Sequence, residues 1–133
     1  FRVADRVVER LTEDTPVIIV DIHAEATSEK MALGWYLDGR VSAVLGTHTH
    51  VMTADEKILP KGTAYITDVG MTGPHKSIIG VQIDQSLRRI IRQLPTRFSP
   101  AEEDIMFSAV LVEIDSSSGK ALSIKRIFEK KDE

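Results

Sequence analysis

The sequence predicts an α/β domain, and three observations carry that prediction. Two short apolar runs, residues 16–20 (PVIIV) and 42–46 (SAVLG), have the length and composition of buried strands. Segments of helical periodicity lie around them, at residues 1–11, 29–38 and 86–94. Two alternating arms joined by a Ser/Gly turn close the chain as a hairpin.

The 133 residues, 42% apolar and 28% charged, fit one small domain with a modest core. A net charge of −3 is spread without long blocks of one sign, so no clustered basic footprint is present and no stable nucleic-acid complex is expected. The absence of cysteine excludes disulfides and thiolate zinc sites and points to a reducing, cytoplasmic setting. No apolar run approaches a membrane span or a signal peptide, so no membrane association is expected.

Residues 1–11 open the chain in helical periodicity with no initiator Met and no N-cap, as though it began inside a larger protein. Val3, Val7, Val8 and Leu11 form the expected apolar stripe. The strand at 16–20 follows, with Asp21-Ile22-His23 directly after it. Thr27 or Ser28 before Glu29 reads as the start of a helix running to about Asp38. Met31 and Trp35 share one of its faces, which reads as core, and Gly39 suits the left-handed residue that ends helices. After the strand at 42–46 come the turn at 59–62 and a strand at 63–67. Residues 68–75, with two glycines and a proline, read as a shaped loop. Residues 77–82 read as a further strand. In the helix at 86–94, Leu87, Ile90, Ile91 and Leu94 fall on one face and Arg88, Arg89 and Arg92 mostly on the other. The hairpin pairs residues 108–115 with 121–128, and 129–133 read as a frayed end.

Chemistry concentrates in Gly46-Thr47-His48-Thr49-His50, which holds two of the four histidines of the chain. Residues i and i+2 of extended backbone point to the same side. His23 occupies an equivalent place after the preceding strand, and the ends of strands are where ligands gather in α/β proteins. Neutral imidazole is the commonest metal ligand, so His23, His48 and His50 are the candidate ligands of a metal site. Asp21, Glu25, Asp55, Glu56 and Asp68 lack clear ligand spacing and are candidates for orienting the histidines, Asp21 and Asp68 foremost.

Three runs carry a resemblance to a known family. They are residues 20–40 (VDIHAEATSEKMALGWYLDGR), 46–51 (GTHTHV) and 67–74 (TDVGMTGP), and the likeness continues through 94–98 (LPTRF) to the terminal hairpin. The chain resembles the YmdB-type bacterial metallophosphoesterases, which are similar to calcineurin-like phosphoesterases. The resemblance implies an αββα sandwich, of which residues 1–133 would be the C-terminal half of a single domain with its terminal β-hairpin. It implies two divalent ions (iron, manganese or zinc), with His23 and His48 on one and His50 on the other. Gly70, Thr72 and Gly73 would belong to a loop facing substrate. The implied activity is phosphodiester or phosphomonoester hydrolysis, on 2′,3′-cyclic nucleotides, by a metal-activated water.

The likeness lacks everything that precedes Phe1 in the family. That part would bring the bridging carboxylates, an Asn ligand and the histidine that protonates the leaving oxygen, so the catalytic acid is not expected among these residues and the chain alone is expected to be inactive. The Asp21-x-His23 pair stands in the context of the later family histidine, so no bridging role follows for Asp21. Two other readings remain at this point. One is a self-contained zinc hydrolase with His23, His48 and His50 on a single ion. The other is a non-enzymatic association module. A chain supplying part of a sandwich is expected to expose an apolar face, with Ile18, Val20, Val44, Ile66 and Ile79 in its strands. That face would be covered by the N-terminal half or by a homo-oligomer.

Overall fold

A computed structural model describes residues 1–130 of the chain. Helix α1 (Arg2–Leu11) leads to strand β1 (Ile19–His23), helix α2 (Thr27–Tyr36) and strand β2 (Ala43–Thr47). Strands β3 (Lys57–Ile58), β4 (Ala64–Ile66) and β5 (Gly73–Pro74) follow, then helix α3 (Ile83–Arg92) and the long arms β6 (Ile105–Ile114) and β7 (Ala121–Lys130).

One sheet has the order β1-β2-β4-β3 and the other β5-β6-β7. Strands β1, β2 and β4 are parallel, and β3 closes the edge antiparallel to β4. Alternation along β2 and β4 divides the core. Val44 and Tyr65 face α1 and α2, where they meet Val8, Ile18, Leu37, Val41 and Leu59. Ala43 and Ala64 face the hairpin and meet Ala121, with Leu45, Val112 and Ile124 packed around them. Small side chains on that face let the second sheet approach closely. The result is three layers: helices, a mainly parallel sheet and an antiparallel hairpin sheet.

Several expectations from the sequence need correction. β1 lies three residues later than expected, so His23 is its last residue and not part of the following loop. Val3 and Val7 are 64% and 42% exposed, because the buried stripe of α1 is Ala4, Val8 and Leu11. Trp35 is 51% exposed: α2 turns Gly34 inward instead, where any Cβ would stand 2.5 Å from the Tyr65 ring. Residues 77–82 make isolated bridges and no strand. The apolar residues of α3 remain exposed, Ile91 at 75%, and Ser86 is the buried residue of that helix. Of the residues expected on an open apolar face, Ile18, Val44 and Ile66 are buried within the chain, Val20 is half-buried and Ile79 is exposed. β7 extends through Glu129 and Lys130, paired with Phe107 and Met106, and the rest of the expected frayed end lies outside the described residues.

The hairpin turn is held by the Asp115 carboxylate, which accepts the N–H groups of Ser117 and Ser118 and the Ser117 hydroxyl. The Ser117 hydroxyl and these N–H groups hold its pKa down to about 2. No helix among the described residues is long and apolar enough to cross a membrane.

Gly46 marks a close backbone approach at the end of the parallel sheet. Its carbonyl accepts the Val69 N–H at 2.8 Å, and a Cβ at this position would overlap the Thr67 carbonyl. Gly46→Ala is therefore expected to lower unfolding free energy by roughly 1–3 kcal/mol in urea denaturation. An unchanged midpoint would contradict this approach.

Candidate metal centre

The register of β1 on β2 builds the first part of the site. Its last pair is His23 with Thr47, which sets the His23 ring beside the Thr47 hydroxyl. Thr47 Oγ1 donates to Asp21 Oδ1 at 2.9 Å and stands 3.0 Å from His23 Nδ1. With its own proton given to the carboxylate, Thr47 accepts from His23 Nδ1–H, leaving His23 Nε2 with its lone pair. That lone pair faces His48 Nδ1 at 3.1 Å, and the rings meet edge to face with centroids 4.9 Å apart.

Chain direction changes sharply after Thr47. His48 has φ 120° and His50 φ 65°, both in the region that side chains disfavour. The loop is held from beneath by Asp68. Its carboxylate is fully buried, and Oδ2 accepts the Thr49 N–H at 2.9 Å and the Lys30 ammonium at 2.9 Å. Oδ1 accepts the Gly70 N–H at 2.9 Å. Burial pushes the Asp68 carboxyl up, but the Thr49 N–H, the Lys30 ammonium and the Gly70 N–H outweigh it and hold it below its usual range. Lys30 is itself fully buried, on the inward face of α2.

His50 does not join the other two. Its Nδ1 stands 3.0 Å from the Ile79 carbonyl and donates to it, so Nε2 keeps the lone pair. Ile79 is itself strained, with φ 47°. Among the described residues no three His, Cys, Asp or Glu side chains converge to hold one ion. The geometry therefore does not support a single three-histidine zinc site complete within these residues.

The His23–His48 pair nevertheless has a donor spacing that fits a single ion. Two nitrogens each about 2.0–2.1 Å from a shared ion lie roughly 3 Å apart at angles near 100°, close to the separation of His23 Nε2 and His48 Nδ1. A backbone carbonyl or carboxylate that fixes the other ring nitrogen is the usual support of a metal-binding histidine. Ile79 offers that to His50, and Asp21 offers it to His23 through Thr47. His23, His48 and His50 are all exposed on one rim of the fold.

The other candidates divide. Asp21 reaches a histidine only through Thr47, and Asp68 positions the loop and touches no imidazole. Asp55 binds Thr53 and Thr67, and Glu56 pairs with Arg126 at 2.8 Å. Among the described residues Glu25 has no side-chain hydrogen-bond partner. Gly70 packs against Met52, Gly73 pairs with Met106, and Thr72 is bound to Ser108. From that loop Met71, and none of these three, lines an open cavity of about 570 Å³ beside His50. Lys30 and Thr47 were missed by sequence reasoning. A lysine inside a helical segment has no local sign of burial, and a threonine before His48 gains its role only through cross-strand register.

The family model of YmdB-like proteins matches residues 1–127. The chain belongs to the YmdB-like family. It is 55% identical over 128 residues to a 2′,3′-cyclic-nucleotide 2′-phosphodiesterase of Bacillus subtilis, covering 96% of this chain and 48% of that relative. It is 42% identical over 118 residues to a putative phosphatase/phosphodiesterase of Mycoplasma pneumoniae, covering 88% of this chain and 42% of that protein. Among solved structures, a hypothetical protein from Thermus thermophilus superposes with a TM-score of 0.91 at 46% identity, over 98% of this chain and 50% of the other. A novel phosphatase from Mycoplasma pneumoniae superposes with a TM-score of 0.90 at 39% identity, over 98% and 46%. The YmdB-like chain thus spans about half the length of the curated relatives it matches. Its mixed α/β fold is the one expected of a calcineurin-like phosphoesterase.

Asp68→Ala would leave the Lys30 ammonium buried and unpaired, which costs about 3–5 kcal/mol. Lys30→Met leaves Asp68 its two backbone N–H donors and is expected to cost less, a ranking that urea denaturation reads directly. Because the folded Asp68 pKa is depressed, its contribution is fully present above the unfolded value of about 3.9. It is lost as pH falls below that value through the folded pKa. Equal losses in the two variants would contradict the loop-holding role of Asp68.

Proposed function

We propose that this chain supplies the histidine side of a two-metal phosphodiesterase centre acting on 2′,3′-cyclic nucleotides. The observation that carries the proposal is the facing pair His23 Nε2 and His48 Nδ1, 3.1 Å apart, with His50 on the same strained loop and fixed separately by the Ile79 carbonyl. The substrate class is supported by the 55% identity to the 2′,3′-cyclic-nucleotide 2′-phosphodiesterase of Bacillus subtilis.

In this reading His23 and His48 hold one divalent ion and His50 the other, with iron, manganese and zinc all suited to imidazole. The chemistry supplied by two bound divalent ions is polarisation of the phosphoryl oxygens and activation of water at neutral pH. Thr47 and Asp21 keep His23 in the tautomer that presents Nε2, and Ile79 does the same for His50. Three neutral imidazoles bring no negative charge to hold two dications together. The bridging carboxylates and the group that protonates the leaving oxygen are assigned to the half of the family's length that this chain does not span. The same half, or a second copy of the chain, is the proposed protein partner.

Hydrolysis of 2′,3′-cyclic AMP with added manganese tests the proposal. The chain alone is expected to turn over little, and the complementary half of the family sequence should restore activity. His23→Ala or His50→Ala should remove that recovery by more than about 100-fold, and Thr47→Val should weaken metal affinity roughly 10–100-fold. Full activity in the histidine variants would overturn the assignment.

A further inference from the structure

The cavity that His50 helps to line opens beside the loop that carries that histidine. Its volume of about 570 Å³ is that of a small-molecule site. Met52, Met71, Ile79 and Phe128 give it polarisable, apolar walls, and His75 and Arg126 are its main polar groups. Arg126 and Phe128 are i and i+2 on β7, paired with Val110 and Ser108, so both side chains leave the same face of the sheet.

Charge decides what such a cavity can take. Arg126 is the cationic side chain in its lining, and its Nε already donates to Glu56 at 2.8 Å. A second phosphate would therefore meet little uncompensated positive charge. The same ion pair holds the guanidinium plane in place, and a fixed guanidinium plane is a stacking surface for a flat ring. Phe128 adds an aromatic surface, itself held edge-on by His75 with centroids 5.1 Å apart. His75 Nε2–H donates to the Met71 carbonyl at 3.0 Å, leaving Nδ1 as an acceptor. Flat walls, thioethers and one or two edge groups match the chemistry of a nucleobase, which has two apolar faces and a polar rim.

We infer that this cavity is the nucleobase pocket of the site, seating the base of a nucleotide whose phosphoryl group lies at the histidine rim. The inference rests on the cyclic-nucleotide reading above for its substrate, but its test does not rest on metal or turnover.

Saturation-transfer NMR with adenosine as the probe, in the absence of added metal and phosphate, reads the pocket directly. Stronger transfer to the adenine protons than to the ribose protons is expected. Phe128→Ala should weaken adenosine binding on the order of fivefold or more, the usual loss when an aromatic stacking partner is removed, and Met71→Ser should weaken it on the order of twofold or more by taking an apolar wall from the base. Circular dichroism melting identifies the folded variants, and Met71→Ser stands alone if Phe128→Ala does not fold. Transfer that does not favour the base, or wild-type affinity in a folded variant, would overturn the inference. Cyclic-phosphodiester hydrolysis without adenosine binding would sink the pocket and leave the metal reading standing. Adenosine binding with no hydrolysis even after the complementary half is added would do the reverse.

Discussion

Asp68 and Lys30 meet in the interior with neither side chain exposed, 2.9 Å apart, where β4 ends and α2 crosses it. A buried ion pair contributes little to stability by itself, because desolvation of both charges offsets their attraction. Its value here lies in the remaining carboxylate lone pairs. They accept the N–H of Thr49, between the two loop histidines, and the N–H of Gly70, in the loop that follows β4. One carboxylate thus ties together the helix layer, the end of the sheet and the two loops that shape the rim.

That tie accounts for the strain the loop sustains. His48, His50 and Ile79 all have positive φ, a cost of the order of 1–3 kcal/mol each that persists only where surrounding contacts impose it. Asp68 imposes it on the histidine loop from below. The Ile79 carbonyl imposes it from the far side through His50. The imidazoles are therefore oriented before any ligand arrives, which limits the ordering cost of binding. Thr47 does the same for His23 through strand register instead of strain.

How much of this was legible in the sequence depends on which force places each residue. The parallel strands and the hairpin were legible because Val44, Tyr65 and Ala121 follow patterns set by burial. The histidines were legible because His-x-His after an apolar run is a local signal. Long-range effects were not. β1 starts three residues later than its apolar run, at Ile19, and continues through His23, because the pairing of Asp21, Ile22 and His23 with Leu45, Gly46 and Thr47 is set across strands and leaves no local sign. Trp35 lost the core to Gly34, whose missing side chain lets the Tyr65 ring lie against α2. The run at 77–82 resembles a strand in composition, yet Gly80 and the strained Ile79 turn it into the bend that fixes His50.

The central proposal is that the three histidines hold divalent ions in two places once the complementary half is present, and anomalous diffraction from crystals of the two halves together, grown with manganese, tests it most directly. Peaks are predicted within about 2.3 Å of both His23 Nε2 and His48 Nδ1, and separately of His50 Nε2. Manganese bound at carboxylates elsewhere on the fold, with all three imidazoles free of a peak, would contradict the account.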